Sequence, residues 1–155
     1  MRAMKTVEDI LRTKESVSNT IEPTAMVIEA LQKLIAVNLS YLVVFEGGEY
    51  TGIFCERDYT RKLVLQGRSS RDTMVRDVMT TELPEVTLND TVEDCMYQMN
   101  TRGARYLAVF NDNNEFAGII TIHDLLREVL ASKEQVFDNT LANSLLDTEE
   151  GGKFF

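Results

Sequence analysis

The sequence predicts an α/β fold in which two similar helix–strand–strand–helix units follow one another. Two pairs of matching stretches indicate this repeat. GIFCERD at 52–58 returns as GIITIHD at 118–124, 66 residues later, and YLVVF at 41–45 returns as YLAVF at 106–110, 65 residues later. Matches in one order at nearly constant spacing are the signature of an internal repeat. We expect the two units to pack with pseudo-two-fold symmetry, because each is too small to bury its apolar face alone.

The first helix of each unit is predicted from an apolar stripe with helical spacing. In the first unit the stripe consists of Val27, Ala30, Leu31, Leu34 and Ile35. In the second unit it consists of Val92, Cys95, Met96 and Met99. We expect both stripes to be buried. The helices should begin near Pro23-Thr24 and Asn89-Asp90, whose residue types favour helix starts.

Each stripe is followed by two apolar runs separated by a turn, which predicts a β-hairpin. The turns are EGGE at 46–49 and NDNNE at 111–115, and their glycines and asparagines suit tight connections. A second helix is predicted after each hairpin, over 59–67 in the first unit and 125–133 in the second. These patterns complete the order of elements in each unit.

The repeat also predicts the organisation of the whole chain. A short entry segment around Ile21 or Val86 precedes the first helix of each unit. The first unit is placed at 1–72 and the second at 73–132, with no long flexible linker between them. A C-terminal helix or flexible tail is expected over 133–155, where the apolar pattern fades.

Length and composition limit the class of protein. The chain has 155 residues, of which 44% are hydrophobic, and this suits a compact globular domain. No apolar run approaches the ~18 residues of a membrane-spanning helix. The charged N-terminal stretch lacks the apolar core of a secretory signal, so a cytoplasmic protein is expected.

Charge and residue usage argue against two further classes of site. The net charge is −9 at pH 7, which repels nucleic-acid phosphates and anionic membranes. The chain contains one histidine and two cysteines, without a Cys-x-x-Cys spacing, so a zinc site is not expected. No serine or cysteine motif of nucleophilic catalysis accompanies the histidine. We therefore expect no nucleic-acid, membrane or metal partner and no enzymatic activity.

The tandem units resemble a CBS-domain pair, also called a Bateman module. In that family each unit carries Gly, two apolar residues, Ser or Thr, two variable residues and Asp before its last helix. The stretch 118–124 matches this pattern fully, and 52–58 matches it except for a cysteine at the hydroxyl position. The stretch 75–99, VRDVMTTELPEVTLNDTVEDCMYQM, is similar to the family's linker and first helix. The resemblance covers about residues 5–131 and is greatest to small stand-alone CBS-pair proteins.

The resemblance implies a regulatory module rather than an enzyme. CBS pairs commonly form homodimers, and the cleft between their two units often holds an adenine nucleotide or a related adenosyl compound. It therefore implies AMP, ADP, ATP or an NAD-type ligand, no required cofactor, and a partner protein that responds to occupancy. The alternative is a ligand-free module for dimerisation and protein interaction.

By this resemblance the better-formed ligand site surrounds Asp124. A carboxylate accepts hydrogen bonds from both hydroxyls of a ribose, and Thr121 at a helix N-terminus suits a phosphate. The same Thr-x-x-Asp pattern also predicts a capping box that needs no ligand. His123 is either a phosphate-facing group or an ordinary half-exposed residue at a helix start. Both pairs of interpretations stay open.

The site in the first unit is expected to be weaker or different. Asp58 keeps the ribose role, but Cys55 replaces the hydroxyl with a weak donor. Arg57 and Arg61 could compensate through charge-assisted hydrogen bonds. Cys55 itself is either a structural thiol or a redox-sensitive one whose pKa a nearby arginine lowers.

The resemblance also implies residues that line the ligand. The entry segments contribute Thr20, Ile21, Val86 and Thr87. Arg105 and Tyr106 precede a strand of the second unit, within RGARY at 102–106. The guanidinium of Arg105 could reach a phosphate or lie in solvent, and the sequence does not decide between the two.

Overall fold

The computed structural model describes residues 5–14 and 17–131, and these residues form two compact units. Residues 17–82 form one, called the Asp58 unit. Residues 5–14 and 83–131 form the other, called the Asp124 unit. The sequence placed the boundary between residues 72 and 73, so the structure divides the chain differently. The predicted C-terminal segment, 133–155, lies outside the described residues.

The elements follow the order predicted for the repeat. The helices are α1 (Val7–Thr13), α2 (Val27–Val37), α3 (Glu56–Asp58), α4 (Val92–Arg102) and α5 (Ile122–Ala131). The strands are β1 (Thr20–Ile21), β2 (Tyr41–Glu46), β3 (Glu49–Cys55), β4 (Glu85–Thr87), β5 (Tyr106–Phe110) and β6 (Phe116–Thr121). A π-helical turn at Tyr59–Leu63 and a 3-10 turn at Val64–Gln66 continue α3, and a second 3-10 turn spans Val75–Asp77.

Each unit contains a three-stranded sheet with the same topology. The strand orders are β1-β2-β3 and β4-β5-β6, and in each sheet the first pair is parallel and the second antiparallel. Both hairpins also shift register at equivalent places, after Val44 in one and after Val109 in the other. The α/β fold and its tandem repeat are therefore confirmed.

The position of the first and last residues of each unit has a simple physical cause. Val7 and Ile10 of α1 are buried in the apolar core of the Asp124 unit. The backbone N–H of Val7 donates to the carbonyl of Asp90 at 2.8 Å, which fixes the start of α1 beside the second repeat. In the same way Val75 and Val78 are buried in the core of the Asp58 unit. Each entry helix thus packs with the other repeat's sheet.

The apolar stripe of α4 is buried as predicted, and that of α2 only in part. Val92, Cys95, Met96 and Met99 are all at most 1% exposed. In α2 the prediction is wrong for Ile35, which is 82% exposed. Eight residues after Val27, Ile35 lies about 80° further round the helix, at the edge of the stripe.

The helices begin slightly later than predicted. The N-cap of α4 is Thr91, whose Oγ1 accepts from the backbone N–H of Asp94 at 3.1 Å. The Asp94 carboxylate in turn accepts from the N–H of Thr91 at 3.0 Å, completing a capping box. The N-cap of α2 is Met26, with no side-chain cap. The predicted Asp90 instead accepts from the N–H of Thr87.

Candidate functional site

The Asp124 carboxylate is buried where β6 ends and α5 begins. Its residue is 3% exposed, and Oδ2 accepts from the backbone N–H of Thr121 at 2.9 Å. The hydroxyl of Thr121 accepts from the N–H of Asp124 at 3.2 Å. These two bonds satisfy donors at the start of the helix, so the predicted capping box is confirmed.

Two cations also contact the Asp124 carboxylate. Lys14 Nζ donates to Oδ2 at 2.9 Å and to the carbonyl of Ile119 at 2.8 Å. Arg127 Nη2 donates to Oδ1 at 2.6 Å. The Lys14 side chain is only 24% exposed, whereas that of Arg127 is 70% exposed. Exposed ion pairs contribute little stability, so Arg127 is the partner that can be displaced at small cost.

The Asp58 carboxylate has an equivalent position in the other unit. It is 3% exposed, and Oδ2 accepts from the backbone N–H of Cys55 at 3.0 Å and from its thiol at 3.3 Å. Oδ1 accepts from the Thr80 hydroxyl at 2.7 Å and from Lys62 Nζ at 2.9 Å. The carboxylate therefore receives four contacts from its own chain.

Lys14 and Thr80 occupy the same position of the repeat. They are 66 residues apart, as Asp58 and Asp124 are, and each contacts the carboxylate of its own unit. Sequence reasoning missed both as site residues. The shared offset would have found them, because it aligns Lys14 with the threonine of the Val-Met-Thr step at 78–80.

The second cation differs between the sites because the following helix differs. In regular α5, Arg127 contacts the carboxylate from three residues beyond Asp124. Its repeat equivalent is Arg61, but Lys62 is the residue that contacts Asp58, from four residues beyond it. The π-helical turn at Tyr59–Leu63 widens the backbone here, and such turns often occur at functional sites.

The two motif glycines allow chain segments to approach closely. A Cβ on Gly52 would lie 2.3 Å from the backbone oxygen of Thr80, and one on Gly118 would lie 3.0 Å from a methyl group of Leu11. The expected role of Gly118 in permitting a close neighbour is confirmed. In both units the neighbour is the segment that carries Lys14 or Thr80.

The two cysteines are structural thiols. Burial, followed by the negative charge of Asp58, raises the pKa of Cys55 from 9.0 to about 11. The interpretation of Cys55 as a thiol with a lowered pKa is therefore wrong, and the structural alternative fits its 5% exposure. Burial also raises the pKa of Cys95 to about 12.

The structure brings some predicted site residues to Asp124. Tyr106 pairs with Thr121 across β5 and β6, and it is 7% exposed. The carbonyl of Arg105 accepts from the N–H of Ile122 at 3.0 Å, so this residue also lies beside the start of α5. His123 is exposed on α5. In the Asp58 unit, Arg57 is half-buried one residue before Asp58.

The entry-segment residues lie on the far edge strand of each sheet. Val86 pairs with Val109 and is buried in the core, while Thr87 is exposed. Strand β5 separates both from Thr121 and Asp124 on the β6 side. The Asp58 unit has the same arrangement, since β2 lies between β3 and the strand of Thr20 and Ile21.

The described residues were also compared with two other kinds of site. Among residues 5–14 and 17–131, no three or more His, Cys, Asp and Glu side chains group as a metal would require. Within the same ranges no helix is both long and apolar enough to cross a membrane.

The family model of the CBS domain matches the chain twice, at residues 6–65 and 75–131. The chain belongs to the CBS-domain family. Among curated CBS-domain proteins, it is 34% identical over 136 residues to the mitochondrial CBS domain-containing protein CBSX3 of Arabidopsis thaliana. That match covers 81% of this chain and 65% of CBSX3, so this chain spans less than two thirds of that relative.

Solved CBS-domain structures share the fold. A protein with CBS domains from Burkholderia ambifaria is 32% identical with a TM-score of 0.76, over 86% of this chain and 99% of that one. The CBS domain pair of MJ0100, solved in complex with 5′-methylthioadenosine and S-adenosyl-L-methionine, has a TM-score of 0.71 over 84% of this chain and 100% of that one. CBSX2, solved in complex with AMP, has a TM-score of 0.67 over 84% and 99%. These two are 22% identical to this chain, which shows a common fold alone.

Proposed function

We propose that this CBS-domain protein is a regulatory module that binds an adenine nucleotide beside Asp124, and more weakly beside Asp58, and signals occupancy to a partner protein. The observation that carries the proposal is the buried Asp124 carboxylate at the start of α5, with Lys14 at 2.9 Å and Arg127 at 2.6 Å. It combines an acceptor for ribose hydroxyls with cations for a phosphate. The adenosyl ligands of MJ0100 and CBSX2 support the ligand class.

In this proposal the ribose takes the place of an exposed side chain. The ribose hydroxyls donate to Asp124 Oδ1, which otherwise accepts from Arg127. The released guanidinium turns to the phosphate, where a charge-assisted hydrogen bond is stronger than one between neutral groups. Thr121 and the N–H groups at the start of α5 supply further donors, since a helix N-terminus favours an anion. His123 and Arg105 are the side chains proposed to border the phosphate.

The Asp58 site is proposed to bind the same ligand class less tightly. Its carboxylate already accepts from Cys55, Thr80 and Lys62, so a ribose has to displace internal hydrogen bonds. The thiol of Cys55 is also a poorer donor to phosphate than the hydroxyl of Thr121. AMP, ADP, ATP and NAD-type molecules all contain the ribose that the proposal requires.

Exposed apolar side chains support a second part of the proposal, a homodimer that a partner protein reads. Ile35 is 82% exposed, Leu130 is 78% exposed and Tyr97 is 67% exposed. Exposed apolar side chains of this size are typical of protein contact surfaces when they group together. Light scattering tests the dimer, and its mass should halve in a Tyr97→Lys, Leu130→Lys variant if these side chains form the interface.

A ligand-free interaction module is the second candidate function. The full set of internal partners on both carboxylates favours it, because a satisfied capping box with paired cations is stable without a ligand. This candidate predicts the same dimer and the same partner contacts. It differs in predicting no change of either with nucleotide.

Titration calorimetry with AMP, ADP, ATP, NAD and S-adenosylmethionine tests the proposed function. We expect binding by wild type and a larger loss with Asp124→Ala than with Asp58→Ala. Asp94→Ala is the matched control, because it breaks a capping box of the same kind in α4. No heat from any ligand with folded protein would establish the ligand-free candidate instead. An equal loss with Asp94→Ala would show that binding depends on stability rather than on Asp124.

A further inference from the structure

We infer that Lys14 makes the Asp124 site selective for phosphate-bearing adenosyl ligands, whereas Thr80 leaves the Asp58 site tolerant of uncharged ones. This inference rests on the proposed function and names the ligand preference of each site. Its basis is one difference between otherwise equivalent positions. An ammonium group contacts the carboxylate in one unit, and a hydroxyl contacts it in the other.

Lys14 is built into its site rather than resting on the surface. Its ammonium group is held by the carbonyl of Ile119 at 2.8 Å as well as by Asp124 at 2.9 Å. The backbone of the preceding residues is fixed too, because Val7 and Ile10 lie in the core of the same unit. A ribose that displaces the exposed Arg127 therefore leaves Lys14 in place, one hydrogen bond away from the ribose-binding carboxylate.

The charges in contact with the two carboxylates differ by one unit. Asp124 contacts two cations, Lys14 and Arg127, so the group carries a net positive charge. At Asp58 the contacting cation is Lys62, so the pair is neutral, and the Lys62 side chain is 45% exposed. A mostly buried charge is screened less by solvent than an exposed one. The Asp124 site should therefore favour AMP over adenosine, and the Asp58 site should distinguish them less.

The chain itself offers the test, since Lys14 and Thr80 can be exchanged. AMP and adenosine are titrated into Lys14→Thr in the Asp58→Ala background, where the Asp124 site remains. We expect the ratio of AMP affinity to adenosine affinity to fall about 10-fold, the size of one charge-assisted hydrogen bond, with adenosine affinity changed less than about twofold. Lys14→Arg keeps the charge and should keep the ratio.

The reciprocal variant keeps the test independent of Lys14 folding effects. Thr80→Lys in the Asp124→Ala background should raise the same ratio at the Asp58 site about 10-fold. The inference is overturned if both exchanges leave the ratio unchanged, or if Lys14→Thr weakens both ligands equally, since that would mark Lys14 as a structural residue. Wild type that binds neither AMP nor adenosine overturns the proposed function itself, so the two failures are distinguishable.

Discussion

Gly52→Ala should destabilise the protein much more than Gly118→Ala, although both glycines occupy the same motif position. Their backbones are alike, with φ of 158° and 156°, so any backbone strain of alanine is common to both variants. The difference lies in what the new methyl group meets. At Gly52 it would lie 2.3 Å from the backbone oxygen of Thr80, and at Gly118 it would lie 3.0 Å from a terminal methyl of Leu11.

The size of the difference follows from the bonds that have to break. Thr80 cannot retreat without losing two backbone hydrogen bonds to Ile53, at 2.9 and 2.8 Å. These contribute about 1 kcal/mol each, and overpacking adds about 1–3 kcal/mol. The side chain of Leu11 can rotate away at a cost of roughly 1 kcal/mol. We therefore expect Gly52→Ala to be about 2–3 kcal/mol less stable than Gly118→Ala.

Thermal unfolding followed by circular dichroism measures this difference. For a chain of this length, about 2–3 kcal/mol corresponds to a Tm gap of about 4–12 °C between the two variants. Gly52→Ala should also weaken nucleotide binding at the Asp58 site, because its methyl displaces the residue that donates to Asp58 Oδ1. Equal Tm values for the two variants would refute the reasoning, since both would then relax with the same ease.

Three further predictions concern thiols, the core and a helix cap. At pH 8 the raised pKa values should make Cys55 and Cys95 react with a thiol reagent at least about 100-fold more slowly in the folded than in the unfolded protein; a rapid reaction of native protein would contradict this. Because the folded-state pKa is the higher one, the stability contributed by these thiols is complete below about pH 9 and declines as the pH rises toward 11, which unfolding at several pH values will show. Leu34→Ala should cost about 2–5 kcal/mol and Ile35→Ala less than about 0.5 kcal/mol by urea unfolding, because the side chains are 5% and 82% exposed; similar losses would mean that Ile35 is covered in solution. Thr91→Ala removes the cap of α4 and should cost about 1 kcal/mol in the same measurement, with no effect expected on nucleotide affinity.

Local patterns predicted most of the fold. The hairpins and the buried stripe of α4 follow from hydrophobic spacing, which acts over a few residues. The capping box of Thr121 and Asp124 was equally predictable, because it joins residues three apart. Ile35 was misplaced because a stripe has edges, and spacing alone does not show how far the neighbouring elements extend around α2.

The contacts that distinguish the two sites are long-range, and residue types alone did not reveal them. Lys14 lies 110 residues before Asp124 in the chain, and Thr80 lies 22 residues after Asp58. The π-helical turn was also hidden, because YTRKL at 59–63 has the residue types of an ordinary helix. The repeat offset of 66 is the one sequence signal that links Lys14 with Thr80, and it requires the site of one unit to be known first.

The assignment of α1 to the Asp124 unit has a consequence for how the protein is made. Residues 17–82 can complete their unit as soon as they leave the ribosome, but α1 is synthesised first and finds its core only after residues 83–131 have emerged. Until then Val7 and Ile10 are apolar side chains without a place to be buried, which invites aggregation of the nascent chain. A gene cut between residues 72 and 73 would leave each fragment holding a helix or turn that belongs to the other, so the two fragments should fold well only when they are made together.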